Sequence, residues 1–579
     1  MADEPESTAI RHHRSFRIWL LPLLLLMGVW LAIFLLTFWV DASGAFERLE
    51  LLWRPNPSSA ANTIANAGEV VAAVLGIAIT VVAIIVELAS NRYTHRITEL
   101  FVGEPINFFV MGFFVIAALQ AIFVGVIFDD TGEAASGFVP YFGITVSMAM
   151  LGICLLLLLP YFAFVFDFLN PIQIVDRMRL QTIRAMSRRG IGLAARKAEA
   201  VRGVEQLADV GLNAMEHKDK GVSMASVDAL QAMVIDYQTV RPRLSKEWFR
   251  IDGELAHNPD FVSMSDDVLS AVTRRRIWFE MKVLRKYQTL YNEALNKMRD
   301  ICYLVAINTR HIAEAAIEVK NAELFALVVK FFNTYLRATV NARDVRTAYN
   351  VLHQYRLLAQ AVLHHRDGEK AIEIARYFKY YGLVSFNAKL PFILETVAYD
   401  LCELNEIAFE EKSPAARELL RIFLQVDKES ESEVQEISLR GVRKAQVKLA
   451  TYYLRHGAED WAREIFEDME PERRDRLGSI RDELLNVQSS EFWEISDRGV
   501  NFDYLDPERK RELVTFFSWF EDLPRKSYLP EELLQPNAAE AHPARDSRKR
   551  DEVLHDVPGG GADPGKEESS DEFALPGAE

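Results

Sequence analysis

The chain has 579 residues, 50% of them hydrophobic, a mean hydropathy of +0.00 and a formal net charge of −16. That combination excludes one uniform globule and calls for an apolar part joined to a strongly polar one, and the charge argues against nucleic-acid binding. Three cysteines, Cys154, Cys302 and Cys402, stand too far apart for a disulfide framework or a paired metal motif, so the polar part reads as cytosolic.

The apolar part is confined to residues before 170, which divides the chain into a cytoplasmic N-terminus (1–17) and a four-span transmembrane domain (18–169). Residues 18–40, the first span, follow Arg11, Arg14 and Arg17 and outrun the ~7–15-residue core of a cleavable signal. They read as a retained anchor, although Asp41, Ala42, Ser43 and Gly44 imitate a cleavage site. The second span, residues 70–88, is nearly unbroken Val, Ile, Ala and Leu, long enough at ~1.5 Å per residue to cross a hydrocarbon core of ~30 Å. Gly68, Ala72, Gly76 and Thr80 recur every four residues and line one face with small groups, for helix packing or for a pore lining. Glu87 has two readings: an interfacial carboxylate paired with Arg92 and Arg96, or an ion or proton ligand.

Residues 108–128 form the third span, with Ala117, Ala121 and Gly125 again four apart. Gln120, its one strongly polar side chain, is satisfied by a neighbouring helix or touches a substrate. Residues 138–169 hold the fourth span, over-long for a bilayer, with a tilt or kink near Pro160 to absorb the excess. Arginines at 11, 14, 17, 92, 96 and from 177 onward belong to one side, against Arg48 and Arg54 on the other, which places both termini in the cytoplasm of a cell (inner) membrane. The outer loop carries Asp129, Asp130 and Glu133, a solvated turn or a cation-concentrating mouth.

A basic juxtamembrane helical segment follows (170–215), with Arg177, Arg179, Arg184, Arg188, Arg189, Arg196, Lys197 and Arg202. Such a segment can lie on anionic lipid headgroups at about 1 kcal/mol per base, or be a plain solvated face. Gly190, Gly192 and Ala195 imitate a dinucleotide fingerprint, but no strand precedes them.

Two stretches, AITVVAIIVELASNRYTHRITELF (78–101) and VEQLADVGLNAM (204–215), resemble a prokaryotic integral-membrane family known only by a domain-of-unknown-function label. The resemblance spans roughly residues 15 to 290 and implies four spans followed by a helical cytoplasmic domain, with no reaction attached. After Met215 the chain reads EHKDKGVSMASVDAL and departs from the Ser-Pro-Gly and Asn-Asp-Pro turn of that family.

The helical cytoplasmic domain (216–533) completes an all-α chain. Over residues 277–319 apolar residues recur at spacings of four and three, the seam of one long helix packed in coiled-coil fashion. Over residues 442–471, Leu449, Ala450, Tyr453, Gly457, Ala462, Phe466 and Met469 match a tetratricopeptide-type hairpin, with a fainter copy at Leu358, Ala359, Val362, Ala371, Ala375 and Phe378. The separation is no multiple of about 34 residues, so an α-solenoid-like or bundle domain is expected rather than a regular array. From residue 534 to 579 the tail is acidic and rich in Pro and Gly, and reads as disordered.

No catalytic spacing occurs, and His311 with Glu314, or His364 with His365, lack companions for a metal site. The sequence thus predicts a non-enzymatic membrane anchor, scaffold or sensor without metal or cofactor. Its expected partners are anionic lipid, a protein held by the cytoplasmic helices, and a second copy. The alternative is an oligomeric channel or transporter lined by the second and third spans, with Glu87 and Gln120 in the path.

Overall fold

The computed structural model describes residues 6–43, 57–92, 96–129, 140–188, 190–427, 439–491 and 498–523. The expectations placed on residues 130–139, Arg189 and the tail from 534 lie outside the described residues, as do those on the side chains of Arg11, Arg14, Arg17, Arg96 and Asp129. The fold is all-α, and among the described residues four helices are long and apolar enough to cross a membrane: Leu24–Ala42, Gly68–Arg92, Pro105–Ile127 and Tyr141–Phe168. They belong to α1 (Glu6–Ala42), α2 (Pro57–Arg92), α4 (Pro105–Asp129) and α5 (Tyr141–Phe168). Helices α4 and α5 pack together, and each also packs on α1 and α2. Helix α5 runs unbroken through Pro160. Its Leu155, Leu156 and Leu159 face outward, as side chains bathed by hydrocarbon should.

Short-range chemistry closes the ends of this bundle. Asp41, at the end of the first span, accepts hydrogen bonds from the backbone of Phe142 (2.8 Å) and Gly143 (2.9 Å), which supplies α5 with an N-cap from another helix. The residue that imitates a cleavage site therefore ties the first span to the fourth. At the opposite end Tyr161 donates to Asn107 Oδ1 (3.2 Å), and the Asn107 amide donates to the carbonyl of Phe101.

The membrane bundle and the helical region share packed side chains. The short helix α3 (Arg96–Val102) turns back from α2 and drives Ile97 into the core of the region beyond. Phe101 meets Phe168 edge-on at 5.3 Å, and the Arg177 guanidinium lies 4.5 Å over the Phe168 ring. Helix α6 (Pro171–Ser187) begins after the cap Asn170, whose side chain accepts from Ile172 N, with proline at the first position.

Beyond it the chain forms two rows of helices. One row is α8 (Lys220–Val240), α12 (Arg299–Glu318), α14 (Val345–His364), α16 (Pro391–Glu410), α18 (Arg440–Arg455) and α21 (Pro507–Phe517). The other is α7 (Leu193–Glu216), α11 (Trp278–Lys297), α13 (Ala322–Asn341), α15 (Gly368–Asn387) and α17 (Ala416–Phe423). Between the rows of hairpins, α9 (Gly253–Ala256) and α10 (Asp266–Arg275) interrupt the pattern, and α19 (Glu459–Met469) and α20 (Arg474–Asn486) close the far end.

The rows are in register because the turns repeat. Lys320, Arg343, Arg366, Lys389 and Lys412, spaced 23 residues apart, all adopt positive φ (51° to 62°) just past a helix end. At the first, Lys320 N donates to the Ile317 carbonyl (3.0 Å) and Asn321 N to that of Ala316 (2.8 Å); the other four repeat the pattern. This is the Schellman arrangement, which satisfies helix-end carbonyls and offsets the ~1–2 kcal/mol cost of a left-handed side chain, while the basic residue complements the negative helix end. Asn321, Asp344 and Asp367 then cap the next helix through their side chains, and Leu390 is followed by Pro391 at the first helical position.

Two expectations are corrected here. The seam over 277–319 is not one helix: the chain breaks at Met298 (φ −150°, ψ 75°) into α11 and α12, which pack on each other and on different neighbours, α7 and α8. Three-four spacing marks a buried stripe and carries no information on where a 20-residue helix stops. The hairpins foreseen at residues 358–378 and 449–469 are present, and each hairpin of the register takes 46 residues because its helices are 20 residues long. The array from α12 to α17 is therefore regular, against the expectation that no regular array forms, and its period differs from the ~34 residues of tetratricopeptide repeats. Gly457 (φ +69°) makes the same turn in α18 that lysine and arginine make elsewhere.

Candidate functional site

In the membrane bundle the small-residue stripe of α2 divides. Gly68 is buried against α4, where an added Cβ would stand 3.3 Å from the Ala121 Cβ, and Gly125 faces Ile64. The buried line of α2 continues through Val71, Ala78, Val82 and Val86, off the predicted stripe, and Ala72, Gly76 and Thr80 point outward. Ala117 and Ala121 are fully buried. Gln120 is also buried; its amide donates to Thr37 Oγ1 of α1 (3.2 Å), and its Oε1 has no partner among the described residues.

Glu87 is exposed on α2, and the Arg92 guanidinium lies 3.2 Å from Asp219, the capping residue of α8. Glu87 and Gln120 do not meet. Gly68, at the level of Ala121, lies 19 residues before Glu87, roughly 28 Å along a helix axis.

The basic segment is largely spoken for. Arg177 lies on Phe168 and 3.9 Å from Glu104; Arg179 pairs with Asp176 (2.7 Å) and with Asp236. Lys197 is buried, donating to the Arg250 carbonyl (2.7 Å) and to Asp252 (2.9 Å), and Arg202 pairs with Glu199 at 3.6 Å. Arg184 and Arg188 are exposed.

A connected polar network lies on one row of the array, where sequence reasoning placed no site. Asn308, Gln354 and Asp400 occupy equivalent positions on α12, α14 and α16, one hairpin apart, and Tyr303 and Tyr349 do likewise. Arg310 Nε donates to Gln354 Oε1 (2.9 Å), and Gln354 Nε2 donates to the Tyr303 hydroxyl (3.2 Å). Arg356 lies 3.4 Å from Asp400 and also pairs with Glu403.

Across α14, α16 and α18 lies a non-helical strap, residues 498–506. Its Arg498 donates to both Asp400 oxygens (2.5 and 3.2 Å) and to the Tyr349 carbonyl (2.9 Å), with the guanidinium 4.2 Å over the Tyr349 ring. This pair is almost fully buried, 4% and 1% exposed. Phe502 stacks on Tyr399 at 4.5 Å and its carbonyl accepts from Lys448 (2.7 Å). Asp503 accepts from Tyr399 (2.6 Å) and Lys444 (2.7 Å).

The electrostatics follow from this crowding. Burial, then the charges of Arg498 and Arg356, pushes His353 down to about 4, so its ring is neutral and Nδ1 can accept from Arg356 at 3.4 Å. Burial raises Glu403 and lowers Lys448. Lys444 is raised although burial opposes it, through hydrogen bonds to Asp503 and Glu483. The face holds this segment of its own chain by ion pairs, ring stacking and main-chain hydrogen bonds. His311 Nε2 faces Arg310 (3.0 Å) and His364 faces Glu411 (2.9 Å); among the described residues no group of three His, Cys, Asp or Glu is placed to hold a metal. A sequence signal of the register, one that sequence reasoning did not use, was the dipeptide of a basic residue and Asn or Asp recurring as Lys320-Asn321, Arg343-Asp344 and Arg366-Asp367.

Residues 15–238 match the family model described as "Predicted membrane protein (DUF2254)", so the resemblance carried by residues 78–101 and 204–215 stands. No curated protein matches the chain. A solved structure titled "Circular tandem repeat protein with novel repeat topology and enhanced subunit contact surfaces" aligns over 55% of this chain and 79% of its own, at 16% identity and a TM-score of 0.26, too low to bear on the fold.

Proposed function

We propose that this membrane protein is a non-enzymatic docking platform: four spans fix it in the cell (inner) membrane with both termini in the cytoplasm, and the helical array holds extended segments of partner proteins. The observation that carries this reading is the strap. A stretch of chain without helix or strand lies across α14, α16 and α18, held by a buried guanidinium, a stacked ring and a bridged carboxylate, which is how a helical array grips a peptide. The junction supports it from below, since Ile97, Arg92 and Arg177 fasten the spans to the array and would transmit strain from one to the other. Exposed Arg184 and Arg188 beside the membrane suit contact with anionic headgroups.

The test is capture of cytoplasmic proteins by the detergent-solubilised full chain, with Phe502→Ala to loosen the strap. A discrete partner whose recovery changes with the strap variant supports the platform. Recovery indifferent to the strap, with catalysis of any small-molecule turnover by the purified chain, would defeat it. Reporter fusions behind Asp41, Thr94, Gly132 and Ser187 test the topology; a reporter behind Ser187 that reads as external ends this account.

One observation favours a second reading. Ala72, Gly76 and Thr80 face away from the other spans and lead down to exposed Glu87, a surface through which copies could associate and line a path. Ion flux in liposomes that changes with Glu87→Gln at constant expression would favour it.

A further inference from the structure

The 23-residue register makes grooves of the array comparable one by one. The strap reaches the groove between the first turns of α14 and α16, where Tyr349 and Phe392 stand 5.9 Å apart and Phe502 approaches Tyr349 at 6.2 Å. One hairpin earlier the equivalent groove, between the first turns of α12 and α14, holds no segment among the described residues. It is a cavity of about 370 Å³ in which Tyr303 takes the place of Tyr349. Its floor is Tyr303, Leu304, Ile307 and Met224. Met224 also lines a second cavity of about 530 Å³ between α6 and α8.

The rim differs from the strap's groove in charge. Lys220, Arg299 and Arg346 border the cavity against the single carboxylate Asp300. Lys220 is held by Asp300 at 2.5 Å in a pair exposed enough on both sides (54%/69%) to exchange for another carboxylate, whereas Arg299, itself exposed, lies 3.1 Å from Asp344, which is 5% exposed and caps α14. The floor would take one aliphatic or aromatic side chain, and its volume falls in the ~300–1,000 Å³ range of ligand pockets.

Resting on the platform reading, we infer that this open groove between α12 and α14 docks an extended acidic peptide of a partner protein, with one apolar side chain on Tyr303 and Ile307 and flanking carboxylates on Lys220 and Arg299. The charge complementarity and the occupied groove one repeat on both point to a peptide. The strap shows the backbone form such a ligand takes, and the rim sets its sign.

The probe is a fluorescein-labelled peptide, Asp-Glu-Phe-Asp-Leu-Glu, titrated by anisotropy into the full chain in nanodiscs, beside a copy with lysine at every acidic position. Binding of the acidic peptide alone is expected, weakened roughly tenfold by the double variant Lys220→Glu/Arg299→Glu and by higher salt. It should also be lost with Ile307→Trp, which fills the floor; unchanged melting of both variants excludes unfolding. Equal binding of the basic peptide, or no binding at all, overturns the inference. Binding lost in Phe502→Ala but kept in Ile307→Trp would mean that the probe displaces the strap, which sinks this site and leaves the platform reading intact. Should Ile307→Trp instead abolish self-association of the chain, a second copy is the occupant and the inference fails.

Discussion

In the most apolar stretch of the first span 6% of residues are buried within the chain, and in the third 44%. Helix α14 of the array buries twelve of its 20 residues, among them Asn350, Gln354 and Arg356. Both regions are stacked helices, yet they dispose of polar groups differently. Lipid solvates the apolar faces of the spans, so the bundle can stay thin; Asp41 and Asn107 work at its helix ends, and Gln120 pairs with Thr37 between helices. Water solvates neither row of the array at its centre, so charges there persist only where paired, as Arg498 is with Asp400. The difference teaches that strain in the membrane half should be felt through packing and caps, and in the array through unpaired charge.

The largest break in that contrast comes from Arg498→Ala, which leaves Asp400 buried with only Arg356 at 3.4 Å. A loss of about 3 kcal/mol or more in urea unfolding of the array is expected. Replacing both partners, Arg498→Met with Asp400→Leu, should recover most of it; no recovery would mean that the strap matters by its packing instead.

Next in size is the membrane half. Gly68→Leu must push into Ala121, 3.3 Å from where its Cβ would sit, and should cost roughly 1–3 kcal/mol by thermal unfolding in detergent. Gly76→Leu, with nothing within 4 Å, should be near neutral. If the two cost the same, Gly76 is covered by another molecule and the outward face is an interface.

Removing the cap with Asp41→Ala should cost about 1 kcal/mol and raise hydrogen exchange at Phe142 and Gly143. The smallest effect is a pH dependence. His353 titrates near 4 in the fold against 6.5 unfolded, so the unfolded chain binds more protons between those values. Stability contributed by the neutral ring is full above about pH 6.5 and falls as the pH drops toward 4; partial exposure makes the slope shallow. His353→Gln should flatten it, and a slope that persists unchanged would assign the titration to the nearby carboxylates.

Much of the membrane half was legible. Four apolar stretches, the all-α class, and the partition of hydrophobic residues before 170 follow from composition along the chain, because hydrocarbon demands ~20 apolar residues per helix whatever packs beside them. The hairpins around residues 358–378 and 449–469 were legible too, since small and large residues alternate wherever two helices close. The break at Met298 was not, because residues 277–319 keep the same apolar spacing through both helices.

The sequence by itself determined that the chain is helical, which segments suit lipid, and, where a basic residue is followed by Asn or Asp, a local signal for the end of one helix and the start of the next. Those outcomes depend on local torsion, local hydrogen bonds and side-chain solvation, all settled within a few residues. Only tertiary structure decided which face of α2 is covered, that Arg92 meets Asp219 127 residues away, and that Arg498 enters the array beside Asp400. A helix periodicity fixes a stripe's width and not its azimuth, and a charge finds its partner through the fold, so neither could be read along the chain.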